Sequence, residues 1–194
     1  MNPVFQYPQY LLKRQVLALT GRLRLYSPQG DLALYVEQKM FRLREDIRVY
    51  GDESKSQELL LIKARNIIDF SAAYDVVDAP YNQKVGTLRR RGLRSMFRDE
   101  WEVLDVNDQP IGQLFEDSVG RAMLRRFVLG SFLPQDYDMT VGETRVADLR
   151  QQFNLFAYRM DLDFSMDSAG LLDRRLGIAA AILLAIIEGK QRSG

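Results

Sequence analysis

Apolar and polar residues alternate in short runs over most of the chain, and turn residues punctuate the runs. That pattern predicts half-buried β-strands joined by tight turns. A repeat is visible. Ile47-Arg48-Val49-Tyr50-Gly51-Asp52 is followed by Glu58–Ile62, Tyr74–Asp78 by Val85–Leu88, and Trp101–Asp105 by Ile111–Leu114. The first positions, 47, 74 and 101, are 27 residues apart each time. Each unit reads strand, polar turn, strand. Within a unit, pairs such as Ile47 and Val49, Tyr74 and Val76, or Trp101 and Val103 share one strand face. Gly30, Gly51, Asn82, Asn107 and Pro110 fall where turns are required. Weaker copies at Leu23–Lys39 and Tyr137–Gln152, with further strands at Tyr10–Leu19 and Tyr158–Phe164, bring the count to about twelve. Between the hairpins, Ser118–Val128 can form a short surface helix capped by Ser118, with Val119, Met123, Leu124 and Phe127 on one face.

The C-terminal segment breaks this rhythm. Leu176–Ile187 reads LGIAAAILLAII, twelve residues without a charge, flanked by Arg174 and Arg175 before and by Glu188, Lys190 and Arg192 after. As a helix it is about 18 Å long at 1.5 Å per residue, too short for a bilayer core of about 30 Å. Apolar on every side, it has no solvent face and must be surrounded. A barrel of more than about eight strands leaves a lumen, and a helix about 10 Å across fills one. The sequence therefore predicts a mainly β protein: a closed antiparallel barrel of about twelve strands around a buried apolar C-terminal helix. Residues 1–194 are expected to form one domain, with barrel strands over about 10–165, a surface helix at 118–128 and the central helix at 171–188.

Composition removes several kinds of chemistry. The chain has no cysteine and no histidine, so disulfides, thiolate metal sites, cysteine nucleophiles and histidine-based triads or zinc sites are all excluded. No catalytic residue set, metal site or cofactor is expected, and the protein is read as a non-enzyme. A net charge of +1 gives no bulk attraction to nucleic acid, and no nucleic-acid partner is expected. The N-terminus lacks the basic start and apolar run of a secretory signal; the expectation is a cytoplasmic protein, with peripheral membrane attachment open.

The run YVEQKMFRLREDIRVYGD (Tyr35–Asp52) resembles the opening of LURP-one-related proteins, through Gln38, Lys39, Phe41, Leu43, Ile47, Val49 and Tyr50. The hairpins containing Gly86 and Gly112, and the closing DRRLGIAAAILLAIIE (Asp173–Glu188), are similar to later parts of that family. The likeness covers roughly residues 22–190. It implies the fold shared with phospholipid scramblases and the C-terminal domain of tubby proteins, a twelve-stranded barrel around a C-terminal helix. It leaves activity open among lipid-binding, scramblase-linked and other members.

Arg89, Arg90, Arg91, Arg94 and Arg98 crowd LRRRGLRSMFRDEW beside Met96 and Phe97. Guanidinium forks suit phosphate, and basic residues next to apolar ones suit an anionic membrane surface. Arg89, Arg91, Arg94, Arg98 and Arg125 are the candidate headgroup-binding residues. The competing reading is a solvated strand end in which arginines pair with Asp99, Glu100 and Glu102. Asp161 and Asp163 in YRMDLDF put two carboxylates on one strand face and resemble an element before the scramblase helix. The acidic calcium loop of scramblases is missing here, so a solvated face is the expectation for them. Gly86 and Gly112 are read as crowded hairpin positions, and Trp101 as core. Function is left between a peripheral module for anionic phospholipid or phosphoinositide, a protein-interaction scaffold without lipid, and a scramblase or enzyme.

Overall fold

The structure is a computed structural model and describes residues 1–15, 20–39, 46–65, 72–91, 100–116, 135–152, 154 and 157–191. Twelve strands follow one another around a closed antiparallel barrel: β1 (Gln9–Gln15), β2 (Thr20–Tyr26), β3 (Leu32–Lys39), β4 (Ile47–Tyr50), β5 (Glu58–Ala64), β6 (Ala73–Asp78), β7 (Gln83–Arg90), β8 (Glu100–Leu104), β9 (Pro110–Glu116), β10 (Asp136–Val141), β11 (Thr144–Gln152) and β12 (Ala157–Asp163). Each strand pairs with the next, and β12 closes on β1 with Leu12 opposite Met160. Among the described strands, closure leaves no free edge for another chain to extend.

Alternation sets the two faces of the wall. Ile47, Val49, Tyr74, Val76, Trp101 and Val103 all point inward and are at most 2% exposed. The helix α1 (Arg174–Gln191) runs through the lumen; every residue from Leu176 to Ala185 for which burial is given, on all faces, is buried. It packs most closely against β7, β12 and β6. Burial on all sides is what a segment with no polar stripe demands. It begins two residues short of the apolar run, at Arg174, and the expected start at 171 is not helical: Leu171 to Asp173 form the turn leading in.

Glycine makes room at three inward or crowded points. A Cβ on Gly86 would meet the Leu104 carbonyl oxygen at 2.5 Å, and one on Gly112 the Thr140 carbonyl oxygen at 1.9 Å. Backbone crowding thus accounts for both. A Cβ on Gly177 would strike the Phe164 ring at 2.4 Å; the glycine that weakens the helix lets that ring close its entrance.

The barrel has two unlike ends. At the end where α1 begins, five hairpin turns join β2–β3, β4–β5, β6–β7, β8–β9 and β10–β11, and each hairpin has a register shift just before its turn. Gly30 and Asn82 take the left-handed conformation, as turns there require, but the left-handed residue of the β8–β9 turn is Asp108 rather than Asn107, and that of β4–β5 is Lys55 rather than Gly51. Pro110 opens β9 instead of sitting in the turn. A 3-10 turn at Pro3–Phe5, capped by Asn2, folds Phe5 into the core, and Tyr10 donates its hydroxyl to the Val4 carbonyl at 2.7 Å. Tyr7, Tyr10 and Phe164 stack edge to face across this end. Arg174 donates to the Gln6 and Tyr7 carbonyls, and Arg175 bridges Asp173 and Asp78, the latter 6% exposed. These bonds fasten the helix start to the rim.

Candidate headgroup-binding rim

Arg89 and Arg91 lie on the outer face where β7 reaches the other rim. Arg89 stands directly opposite Glu102 on β8, and its guanidinium pairs with that carboxylate at 2.6 Å. Arg91 holds Glu102 at 2.9 Å and Glu100 at 2.8 Å. Burial alone would raise the Glu102 pKa, but the hydrogen bonds from Arg89 and Arg91 outweigh it and hold the carboxyl below its ordinary range. The bond from Glu102 raises Arg91 in turn. Two of the five candidate arginines therefore have their charge matched within the wall, as the pairing alternative expected. Arg90 takes the inward face opposite Trp101. Arg94, Arg98 and Arg125, with the expected surface helix 118–128, lie outside the described residues. The residues that bound them, Arg91 and Glu100 on one side and Glu116 and Gln135 on the other, stand on the same rim, where α1 ends.

Inside this rim the lumen is lined by polar groups that the motif reading passed over. Arg14 is 5% exposed and stacks on the Tyr158 ring with its guanidinium carbon 5.5 Å from the centroid. Glu116, Gln135 and Gln151 are buried. The Gln135 amide donates to Gln151 Oε1 at 2.8 Å, and the Tyr137 hydroxyl donates to Gln135 Oε1 at 2.6 Å. Strand alternation carried the signal: Arg14 has the parity of Tyr10 and Leu12, so a polar side chain is aimed into the lumen.

Asp161 and Asp163 share the outer face of β12, as their spacing requires. Gln152 donates to Asp161 at 2.6 Å; Gln9 and the Ser165 amide donate to Asp163. Among the described residues no three acidic side chains gather where a metal ion could be held. No described helix is long and apolar enough to cross a membrane.

The described residues thus form a closed antiparallel barrel plugged by its own C-terminal helix. The chain belongs to the LURP-one-related family, whose model matches residues 32–185. No curated protein and no solved structure gives a significant match.

Proposed function

We propose that the protein is a non-catalytic module that docks peripherally on anionic phospholipid, phosphoinositide headgroups included, with the rim at the end of α1 facing the membrane. One observation carries this reading: the connections at the two rims have opposite charge. Turns 27–31, 51–57, 105–109, 142–143 and 164–173, at the rim where α1 starts, contain eight carboxylates and one cationic side chain, Lys55. The connections at the other rim, 16–19, 40–46, 65–72, 91–99, 117–135 and 153–156, contain nine arginines, Arg94, Arg98, Arg121, Arg125 and Arg126 among them, against five carboxylates, and segments 91–99 and 117–135 hold six of the nine against Asp99 and Asp117. Connections at that rim also contain Phe41, Phe70, Phe97, Phe127, Phe132, Phe153 and Phe156, seven of the chain's ten phenylalanines. Arginine beside aromatic and aliphatic residues suits the interface of an anionic bilayer, at about 1 kcal/mol per basic residue. An acidic opposite rim orients the molecule by repulsion. Cytosolic leaflets present such lipids, which fits the expected cytoplasmic location.

Co-sedimentation with phosphatidylserine or phosphoinositide vesicles, set against neutral ones, tests this. Binding is expected to the anionic vesicles only and to fall with salt. Replacing Arg94, Arg98 and Arg125 together by Ala is expected to weaken it by roughly 100-fold, at about 1 kcal/mol each; unchanged binding defeats the assignment. A protein-scaffold role is the second reading. It rests on the closed barrel being a rigid platform whose loops can carry recognition. Binding to neither vesicle would move the function there.

A further inference from the structure

The barrel wall is not closed equally well all the way round. Among the described strands, β3 meets β4 through two register pairs, Tyr35 with Tyr50 and Val36 with Val49. Every other neighbouring pair has four to seven. Beyond Val36 the two strands part. Glu37, Gln38 and Lys39 are in register with β2 only, and Ile47 and Arg48 with β5 only. A seam with so few ladder bonds is where a sheet opens first, because local stability follows the number of bonds that must break together.

Side chains of the β4–β5 turn span this seam. Glu53 reaches past β3 to Arg24 on β2, accepting from Nε at 2.7 Å and from Nη2 at 3.2 Å. Lys55, in the left-handed conformation, pairs with Glu37 on β3, which Arg22 on β2 also holds at 3.2 Å. Tyr35 sits among these pairs. It points to the outer face, since Leu34 and Val36 take the inner one, yet it is only 2% exposed. The Arg24 guanidinium lies over its ring, 5.8 Å from the centroid. An aromatic ring is thus buried outside the lumen, beside the shortest seam, among ion pairs that the turn makes.

We propose that the barrel opens at the β3–β4 seam and that the β4–β5 turn is the strap that holds it shut. The outer ends of the strap are solvated, with Glu53 50% and Lys55 43% exposed. Exposed ion pairs are weak and screened by salt, so the strap releases without unfolding the barrel. Opening separates Val36 from Val49, which face the lumen, and leaves two strand edges unpaired. The seven-pair junction of β1 with β12 stays closed, as does the plug, which packs against β6, β7 and β12. The device belongs to the wall and does not depend on membrane docking.

The test uses single cysteines in the full chain, which has none of its own. Val49→Cys puts a thiol at the seam and Leu12→Cys puts one at the β1–β12 junction; both positions are 0% exposed. Labelling by a thiol reagent under native conditions reads the openings. Each rate is set against urea unfolding of the same variant, so a generally weakened fold is not mistaken for a local opening. The thiol of Val49→Cys is expected to react about tenfold or more faster than global unfolding allows, and that of Leu12→Cys only through global unfolding. Adding Glu53→Gln with Lys55→Gln, two exposed positions, is expected to speed labelling at the seam about fivefold, as the loss of two exposed ion pairs allows. High salt is expected to act in the same direction, and neither change should speed the β1–β12 thiol. A seam thiol as protected as the β1–β12 one would overturn the proposal. So would strap variants that leave the seam rate unchanged or speed both thiols alike.

Discussion

The two rims of the barrel use their polar residues in opposite ways. Where α1 starts, acidic side chains serve the fold. Asp105 accepts from the Asn107 and Gln109 amides at 2.8 Å each, Asp167 from the Leu171 and Leu172 amides, and Asp173 and Asp78 hold Arg175. The Ser54 and Ser56 hydroxyls donate to Asp52 and hold its carboxyl down at about 2. Where α1 ends, strand tips turn Arg14, Glu116, Gln135 and Gln151 into the lumen, and the joining segments hold arginine and phenylalanine at high density. Acidity at the first rim is turn chemistry that stabilises the molecule. A surplus of cations at the second has no such local explanation in the sequence, and that is why the proposed membrane contact is assigned there.

The contrast can be broken first at the plug. Phe164→Ala removes a ring that is 1% exposed and seated against Gly177 and Tyr10; a loss of about 3–5 kcal/mol is expected in urea unfolding. Arg175→Ala leaves the buried Asp78 carboxylate without its cation. A loss of about 3 kcal/mol is expected, at the low end for a buried pair because the groups are 14% and 9% exposed. If either variant unfolds like the parent, the closed end is not what holds the helix in place.

Charge matching on the outer wall should matter far less. The Arg89 side chain is 43% exposed, so Arg89→Ala is expected to cost under about 1 kcal/mol. Because Glu102 already neutralises it, that change should also weaken vesicle binding less than Arg98→Ala does. Comparing the two by co-sedimentation sharpens the division between wall and rim. Acid provides the smallest effect. Glu102 is held below its ordinary range in the fold, so it stays ionised there to lower pH than in the unfolded chain. Its contribution is fully present above the unfolded value, about 4.3, and is lost as pH falls through the folded one. Glu102→Gln should flatten the acid limb of the stability profile in that window, its modest cost being present at neutral pH and vanishing below the folded value.

Period-two alternation and one uniformly apolar segment made the barrel and its plug legible, because each burial requirement follows from side-chain chemistry alone. Ile47, Tyr74 and Trp101 are core as the repeat demands, and Gly86 and Gly112 are crowded as hairpin positions. Finer turn geometry was harder to read. Asp108 and not Asn107 takes the left-handed conformation, because either residue tolerates it and the bulge decides which one must. At the candidate site, the composition of the run around Arg89 exposed its arginines, but cross-strand register determines that Glu102 faces Arg89, and register is a property of the sheet. Arg14 carries no motif, and only its parity on β1 with Tyr10 and Leu12 points it into the lumen. Asp161 and Asp163 were correctly placed on one face.

Orientation at a membrane is the most direct test. Since the chain has no cysteine, a single fluorophore can be placed at either rim, through Tyr81→Cys at the acidic turns or Phe97→Cys in the arginine-bearing segment. On phosphatidylserine vesicles containing a lipid-borne quencher, the label at 97 is expected to be quenched and the label at 81 to stay bright. Quenching at 81, or at neither position while the protein remains bound, would contradict docking through the arginine rim.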